Sequence, residues 1–249
     1  LMASDTGWPD IPYHAWQETC TALHLYSQIV GKYRLAHTPW VNHSWHATLY
    51  VNADGLTTGL IPDGPGITVQ FDLQGQRLVA SSGVGDKREL RFGPMSVAAF
   101  DRRFKQLITD LGGTARYHGR PNELREAVPF ARDTVERPWD ADALARFHRA
   151  LVRIEAVFQE FRTSFLGKVS PVHMFWGSFD LAVTRFSGRR APTHPGGIPN
   201  LPDSITREAY SHEVSSAGFC CGSLAASDPS ELSITMTRTV PPDPAVSKA

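Results

Sequence analysis

Apolar residues recur at helical spacing in three segments of the chain. Over residues 15–33 they repeat every three to four positions, which predicts a helix that ends near Gly31. Residues 140–165 carry the most regular apolar stripe and predict a second long helix. Residues 96–111 predict a shorter helix, which two consecutive glycines terminate. The pattern therefore predicts two long helices and a shorter one.

Alternation of apolar and polar residues predicts strands between these helices. After the first helix the alternation recurs at 45–51, 56–61, 67–73, 77–81 and 89–92. Turn-forming Asn, Asp, Gly and Pro residues separate these segments, as is typical of an antiparallel meander. Further strands are predicted at 172–176, 179–186 and 213–219. We therefore predict an α+β fold, in which a largely antiparallel β-sheet packs with two long helices.

A weakly patterned, proline-containing segment divides the chain into two halves. The predicted parts are an N-terminal extension over 1–13, a first α+β half over 14–118, a connector over 119–139, a second α+β half over 140–222 and a flexible C-terminal tail over 223–249. Within the second half, residues 187–203 are rich in Gly and Pro. An irregular stretch of that length in a compact domain is usually a functional loop.

One phrase of the sequence recurs in both halves. Residues 29–51 and 165–184 each contain an apolar run that ends in Gly-Lys, then a Pro, a His, a Trp and a β-type segment. The Lys-to-His distance differs, so the echo is degenerate. It predicts two pseudo-related halves that each deliver a His and a Trp to a site where the halves meet. These residues are His43, Trp45, His173 and Trp176.

The composition argues against nucleic-acid and membrane partners. The chain carries 25 basic and 25 acidic residues, which provides no basic surface for nucleic acid or an anionic membrane. No apolar run approaches the roughly 20 residues that cross a bilayer, so a cytoplasmic location is expected. The three cysteines include the adjacent pair Cys220 and Cys221. An odd number and an adjacent pair disfavour a disulfide framework.

The ten histidines of the chain suggest acid–base or metal chemistry. His43 and His46 are three residues apart in NHSWH, and His173 occupies the echoed position. These three are the candidate ligands of a divalent transition metal. The alternative is that each is a hydrogen-bonded core residue, because no Cys/His zinc pattern accompanies them.

Asp180 lies in an otherwise apolar predicted strand, SFDLAVTRF. A carboxylate there must be paired or exposed, because burying it alone costs several kcal/mol. One interpretation is a structural ion pair with Arg185 or Lys168. The other is a catalytic base or a group that supports a histidine. Two further arginines, Arg189 and Arg190, follow in the Gly/Pro loop and, with Arg185, are candidates for holding an anionic group.

A third candidate site is REAYSHE, in which Glu208 and Glu213 flank His212. A histidine between carboxylates can be held in one tautomer with a raised pKa. His212 and Glu213 are therefore candidate catalytic residues. A salt-bridge cluster at a helix end would explain the same residues without chemistry.

Three stretches of the sequence are distinctive. They are NHSWHATLYVNADGLTTGLIP at 42–62, GKVSPVHMFWGSFDLAVTRFSGRRAPTHPGGIPNLPD at 167–203 and REAYSHEVSSAGF at 207–219. With the opening WPDIPYHAWQETCTALHLYSQIVGK, they resemble an uncharacterised bacterial family, domain of unknown function 5996. The resemblance implies no activity, substrate or cofactor. Members of that family continue after AGF with a further strand and helix, so we expect those elements to be missing here and a sheet edge to be uncovered.

These features predict an enzyme that acts on a small polar or anionic molecule. Its site would be a His-rich pocket between the two halves, with Trp45 and Trp176 and the three arginines as ligand-binding residues. The alternative is a non-catalytic module that binds a small ligand or a partner in a pocket lined by Trp and His.

Overall fold

The computed structural model describes residues 7–220 and 233–238. The α-helices of this part of the chain are α1 (Tyr13–His37), α2 (Val97–Asp110), α3 (Ala141–Arg162) and α4 (Asp203–Ala209). Short 3-10 helices occupy Asn42–Ala47 and Phe130–Arg132. Among the described residues, none of the helices has the length and apolar character that a membrane span requires.

The described strands form two antiparallel sheets and one short pair. The first sheet has the order β1 (Tyr50–Val51), β2 (Gly55–Ile61), β3 (Ile67–Asp72), β4 (Arg77–Ser82) and β5 (Lys87–Arg91). The short pair joins β6 (Met95–Ser96) to β7 (Glu136–Arg137). The second sheet has the order β8 (His173–Phe175), β9 (Asp180–Arg190), β10 (His212–Cys220) and β11 (Ser233–Arg238). The predicted α+β class, with largely antiparallel strands, is confirmed.

A single residue pair joins the edges of the two sheets. Leu49, just before β1, and Met174 of β8 form an antiparallel bridge. The Leu49 N–H donates to the Met174 carbonyl at 2.9 Å, and the Met174 N–H donates to the Leu49 carbonyl at 2.8 Å. Both side chains are buried. The two segments that carry the echoed phrase are therefore brought side by side, although the relatedness of the two halves stays a prediction.

Helix α1 is the central element of the core. Its large apolar side chains Tyr26, Ile29 and Tyr33 are fully buried. It contacts α2 and β2, so apolar residues face several directions around the helix. A helix that is buried on most sides cannot place its polar residues in water, so each polar group needs a partner inside the protein.

Helix α3 covers the second sheet as its apolar stripe predicts. The carboxylate of Asp140 caps the helix and accepts a hydrogen bond from the Ala143 N–H at 2.9 Å. The side chains of Phe147, Leu151 and Phe158 are buried along one face, and the helix contacts β9. The pattern of three to four residues therefore predicted this element and its buried face.

Three local predictions are wrong. Helix α1 continues past Gly31 to His37, so Gly31 does not end the helix. Gly31 instead makes room for the Trp176 ring, which would collide with any side chain at this position. The strand predicted from residue 45 begins at Tyr50, and the preceding residues form a 3-10 helix instead.

The third correction concerns the C-terminal segment. Residues 233–238 of the predicted flexible tail form β11, which pairs with β10 from Ser215 to Cys220. The edge of β10 is therefore covered, where the family resemblance led us to expect an open edge. The remainder of the predicted tail, with Cys221, and residues 1–6 of the predicted N-terminal extension lie outside the described residues.

Candidate functional site

A buried polar stripe on α1 is the foundation of the candidate site. His24, Gln28 and Lys32 follow one another at intervals of four residues, and all three are buried. The His24 ring bonds through Nε2 to the Gly177 carbonyl at 3.0 Å. Gln28 donates to the Asn122 carbonyl at 3.0 Å and accepts from the Asn122 N–H at 2.8 Å. The stripe thus fixes two distant loops against α1.

Lys32 ends this stripe in an enclosed position. Its side chain is 3% exposed, and Nζ donates to Oδ1 of Asn122 at 2.6 Å. The same Nζ lies 5.4 Å from the centre of the Trp176 ring. Burial lowers the pKa of the Lys32 amine to about 8, and the negative charge of Glu123 opposes that shift only in part.

Glu123 follows Asn122 and faces the same space. Its backbone is left-handed, with φ of 62°, which is uncommon for a residue other than Gly, Asn or Asp. Its carboxylate lies against Gly177, where any side chain would collide with it. Burial and then the nearby charge of Asp180 raise the pKa of Glu123 to about 7, while Lys32 lowers it. The carboxyl group is therefore about half protonated near neutral pH.

Asp180 supplies the second carboxylate at the start of β9. The Ser178 hydroxyl donates a hydrogen bond to Oδ1 of Asp180. Burial raises the pKa of Asp180, and the Ser178 bond opposes the shift. Phe179, between these residues, also has a left-handed backbone with φ of 59°. The two carboxylates are thus presented by short segments of unusual backbone, a feature that concentrates at functional sites.

Residues 187–190 of the predicted Gly/Pro loop belong to β9, and the remaining loop, residues 191–202, runs beside Glu123. The Glu123 N–H donates to the Pro199 carbonyl at 2.8 Å, and Asn200 Nδ2 donates to the Leu124 carbonyl at 2.7 Å. Tyr210, at the end of α4, is half exposed. Its pKa is raised by partial burial and then by Asp180 and Glu123, so the phenol lies near both carboxylates. Tyr210 is therefore a partly exposed neighbour of both carboxylates.

The Lys residue of each echoed phrase packs on the Trp residue of the other phrase. Lys32 of the first phrase lies over Trp176 of the second, and Lys168 of the second lies over Trp45 of the first at 5.1 Å. The Trp176 Nε1–H also donates to the Ala47 carbonyl at 2.7 Å. The two Lys–Trp contacts are therefore reciprocal, and Lys32 is the buried one of the two lysines.

A comparison with known families decides what the chain is related to. The model of the family described as Family of unknown function (DUF5996) matches residues 8–236. The chain belongs to this family. No curated protein and no solved structure matches the chain. The match to DUF5996 runs through most of β11, so the last strand described above belongs to the family region.

In this DUF5996 member, the three histidines predicted as metal ligands each contact a backbone carbonyl group. Nδ1 of His43 lies 3.1 Å from the Ala209 carbonyl, Nδ1 of His46 lies 3.1 Å from the Val41 carbonyl, and Nδ1 of His173 lies 2.7 Å from the carbonyl of Pro171. Burial lowers the pKa of each ring, that of His173 to about 4. These imidazoles are neutral at pH 7.

No metal centre is assembled within the part of the chain that the structure describes. It contains no group of three or more His, Cys, Asp or Glu side chains that could hold a metal ion. The ring of Trp45 instead contacts both His43 and His173, with centroid distances of 5.4 and 6.4 Å. The expectation of a divalent metal on His43, His46 and His173 therefore finds no support here, and His43 and His173 instead pack around the Trp45 ring.

His212 and Glu213, the predicted catalytic residues, have different hydrogen-bond partners. Glu213 is buried and accepts from Arg189 Nε at 2.7 Å. Glu208 instead receives the backbone N–H of His43, at 2.9 Å. Nδ1 of His212 lies 2.9 Å from the Ser211 hydroxyl. Neither flanking carboxylate is the hydrogen-bond partner of His212, so the salt-bridge interpretation fits Glu213 better.

The predicted anion-binding arginines have different surroundings. The Arg185 guanidinium stacks on Phe161 at 3.9 Å, so it is not the ion-pair partner that we considered for Asp180. Arg189 pairs with Glu213, and Arg190 is exposed at the end of β9. Among the ligand-binding predictions, Trp176 is the one that lies beside Lys32.

A separate cavity of about 300 Å³ is lined by residues 14–19 and 138–140. None of the predicted site residues lines it. We therefore regard the cluster of Lys32, Glu123 and Asp180 as the stronger candidate site. Sequence reasoning selected Asp180 but missed Lys32 and Glu123. The spacing of polar residues within α1 was a signal for Lys32, whereas nothing in the connector marked Glu123.

Proposed function

We propose that the chain is an enzyme that acts on a small polar molecule by general acid–base catalysis. Lys32 and Glu123 exchange protons with the substrate. The negative charge of Asp180 helps to raise the pKa of Glu123 towards neutral pH. The observation that carries this proposal is that the buried Lys32 amine and the partly buried Glu123 and Asp180 carboxylates lie close enough for their charges to act on one another.

The direction of the pKa shifts distinguishes this cluster from a structural ion pair. In a structural pair each charge stabilises the other, so the carboxyl pKa falls and the amine pKa rises. Here burial outweighs the attraction, and the pKa of Glu123 rises while that of Lys32 falls. Both groups then titrate close to neutral pH, where an acid or base works best. Shifts of this kind concentrate at active sites.

The surroundings support a small substrate. Trp176 provides a flat apolar wall beside Lys32, and a backbone hydrogen bond holds the loop against Glu123. Burial of the amine strengthens the electrostatic interactions that it makes. The Tyr210 phenol lies near both carboxylates. We therefore centre the proposed site on Lys32 and Glu123 rather than on the histidines.

A non-catalytic binding module is the second candidate. The observation in its favour is the cluster of neutral aromatic rings around Trp45, in which His43 and Phe186 also pack together at 4.8 Å. Such a cluster can contact an apolar ligand without any chemical reaction.

Turnover by matched variants separates the two candidates. The full chain is incubated with a defined mixture of small polar metabolites, and each compound is followed by mass spectrometry. We expect Glu123→Gln and Lys32→Met to slow consumption by at least about 100-fold. Glu126→Gln and Lys168→Met are the controls, since Glu126 and Lys168 are exposed.

Folding of each variant is checked by circular dichroism and thermal melting. Equal consumption by Glu123→Gln and wild type would contradict the proposal. Stoichiometric binding without consumption would contradict it as well and would favour the binding module.

A further inference from the structure

The Lys32 amine is held in conditions unlike those of an ordinary charged lysine. Within residues 7–220, Asn122 is its hydrogen-bond acceptor, and Lys32 is not a member of any ion pair. A charged ammonium group has three N–H donors that each need an acceptor, whereas a neutral amine tolerates such a site. The side chain is only 3% exposed, so water does not supply the missing partners freely.

The remaining surroundings leave the amine able to react. Asn122 Oδ1 orients Nζ from one side, and the Trp176 ring lines another. Gly31, one residue before Lys32, has no side chain and lets the indole ring pack directly on α1. Glu123 is close enough for its charge to act on the amine. A nucleophile and a proton donor thus lie close together.

We propose that Lys32 condenses with the carbonyl carbon of a small aldehyde or ketone to form an imine. This inference rests on the proposed function, because Glu123 is the acid in both. It goes further by naming carbonyl compounds as the substrate class and Lys32 as a covalent nucleophile.

Every proton of the condensation can pass through Glu123. The lone pair of neutral Nζ forms the C–N bond, the carbonyl π electrons move to oxygen, and the oxygen takes the Glu123 proton. The carboxylate then removes a proton from the new ammonium nitrogen. Finally Glu123 returns this proton to the hydroxyl group, which leaves as water while the nitrogen lone pair forms the C=N bond. The products are a protonated imine, a carboxylate and water, with no oxidant or reductant.

The protonation states support this sequence. With a pKa of about 8, about one-tenth of the Lys32 amine is neutral at pH 7 and half at pH 8. Glu123 retains its proton in about half of the molecules at pH 7. The neutral nucleophile and the protonated acid are therefore present together between pH 7 and pH 8.

Two hydrogen bonds connect the loop to the connector, from Glu123 to Pro199 and from Asn200 to Leu124. Both bonds must break if the loop is to move away from Glu123 and admit a small carbonyl compound.

Reductive trapping tests the proposal on the wild-type full chain. The protein is incubated at pH 7.5 with dihydroxyacetone or acetaldehyde and sodium cyanoborohydride, which reduces an imine to a stable secondary amine. Peptide mass spectrometry then measures the rate of adduct formation at each lysine. We expect Lys32 to be labelled about 10-fold faster than exposed Lys168, which is the internal control.

Variants assign the role of the acid. Glu123→Gln should slow labelling of Lys32 about 10-fold and leave labelling of Lys168 unchanged. Labelling of Lys32 no faster than that of Lys168 in the folded wild-type chain would overturn the proposal. If metabolite turnover still depends on Glu123 in that case, the acid–base function stands and only the covalent step fails. If Lys32 is labelled rapidly but Glu123→Gln consumes metabolites as fast as wild type, the covalent step stands and the acid–base function fails.

Discussion

Replacing Glu123 by Gln is expected to stabilise the protein at neutral and alkaline pH. Glutamine is nearly the same size and removes the charge that the site disfavours. The pKa of Glu123 is about 7 in the folded chain, compared with a usual value of 4.5. The folded chain therefore binds more protons than the unfolded chain between these values, and stability falls as the pH rises through that window.

The magnitude follows from the size of the shift. Each pKa unit corresponds to about 1.4 kcal/mol, so ionising Glu123 in the folded chain costs up to about 3 kcal/mol at pH 8 and about 1 kcal/mol at pH 5. Glu123→Gln should remove this cost, apart from a small loss of attraction to Lys32. Its advantage over wild type should thus grow by about 2 kcal/mol from pH 5 to pH 8.

Urea unfolding at several pH values measures this difference. Glu126→Gln is the control, because Glu126 is exposed and its replacement should change stability by less than about 0.5 kcal/mol. A Glu123→Gln variant that is less stable than wild type at pH 8 would refute the reasoning. It would mean that the carboxylate serves as a stabilising partner of Lys32.

Three further predictions concern the supporting structure. Gly31→Ala should cost about 2 kcal/mol in urea unfolding, despite the better helix propensity of Ala, because its methyl group meets the Trp176 ring. Tyr33→Phe should cost about 2 kcal/mol, because the Tyr33 hydroxyl donates to buried Asp63 at 2.7 Å; an unchanged midpoint would contradict this. Burial holds the pKa of His173 at about 4, below the usual 6.5, so stability should fall by up to about 3 kcal/mol as the pH drops through that window. His173→Gln should reduce this acid dependence, and an unchanged slope would argue against the buried neutral ring.

The regular parts of the fold were predictable because their sequence periods are local. The stripe of α3 and the alternation in β3 and β4 match the elements of the structure closely. The turn at Asn42–Ala47 was not predictable in the same way. His43 and Ser44 both have left-handed backbones with φ of 57°, which tertiary contacts such as the Glu208 carboxylate on the His43 N–H stabilise. Residues far away in sequence therefore determine this geometry.

The candidate site was even harder to predict from local sequence patterns. Lys32 and Glu123 are far apart in the sequence and belong to a helix and an irregular connector. Their encounter depends on the hydrogen bonds between Gln28 and Asn122, which no periodic pattern encodes. Asp180 was found because a carboxylate in an apolar strand is unusual by itself. The histidines became candidates because the chain contains ten of them. Their contacts with carbonyl groups depend on the folded structure and could not be predicted from the sequence.

Direct titration of the Glu123 carboxyl carbon by NMR tests the central claim most directly. Comparing the spectra of ¹³C-labelled wild type and Glu123→Gln assigns the signal. We predict a pKa of about 7 for Glu123, a lower value in Asp180→Asn and a higher one in Lys32→Met, because the two neighbouring charges act in opposite directions. A Glu123 pKa at or below 4.5 that is insensitive to Asp180→Asn would contradict the account.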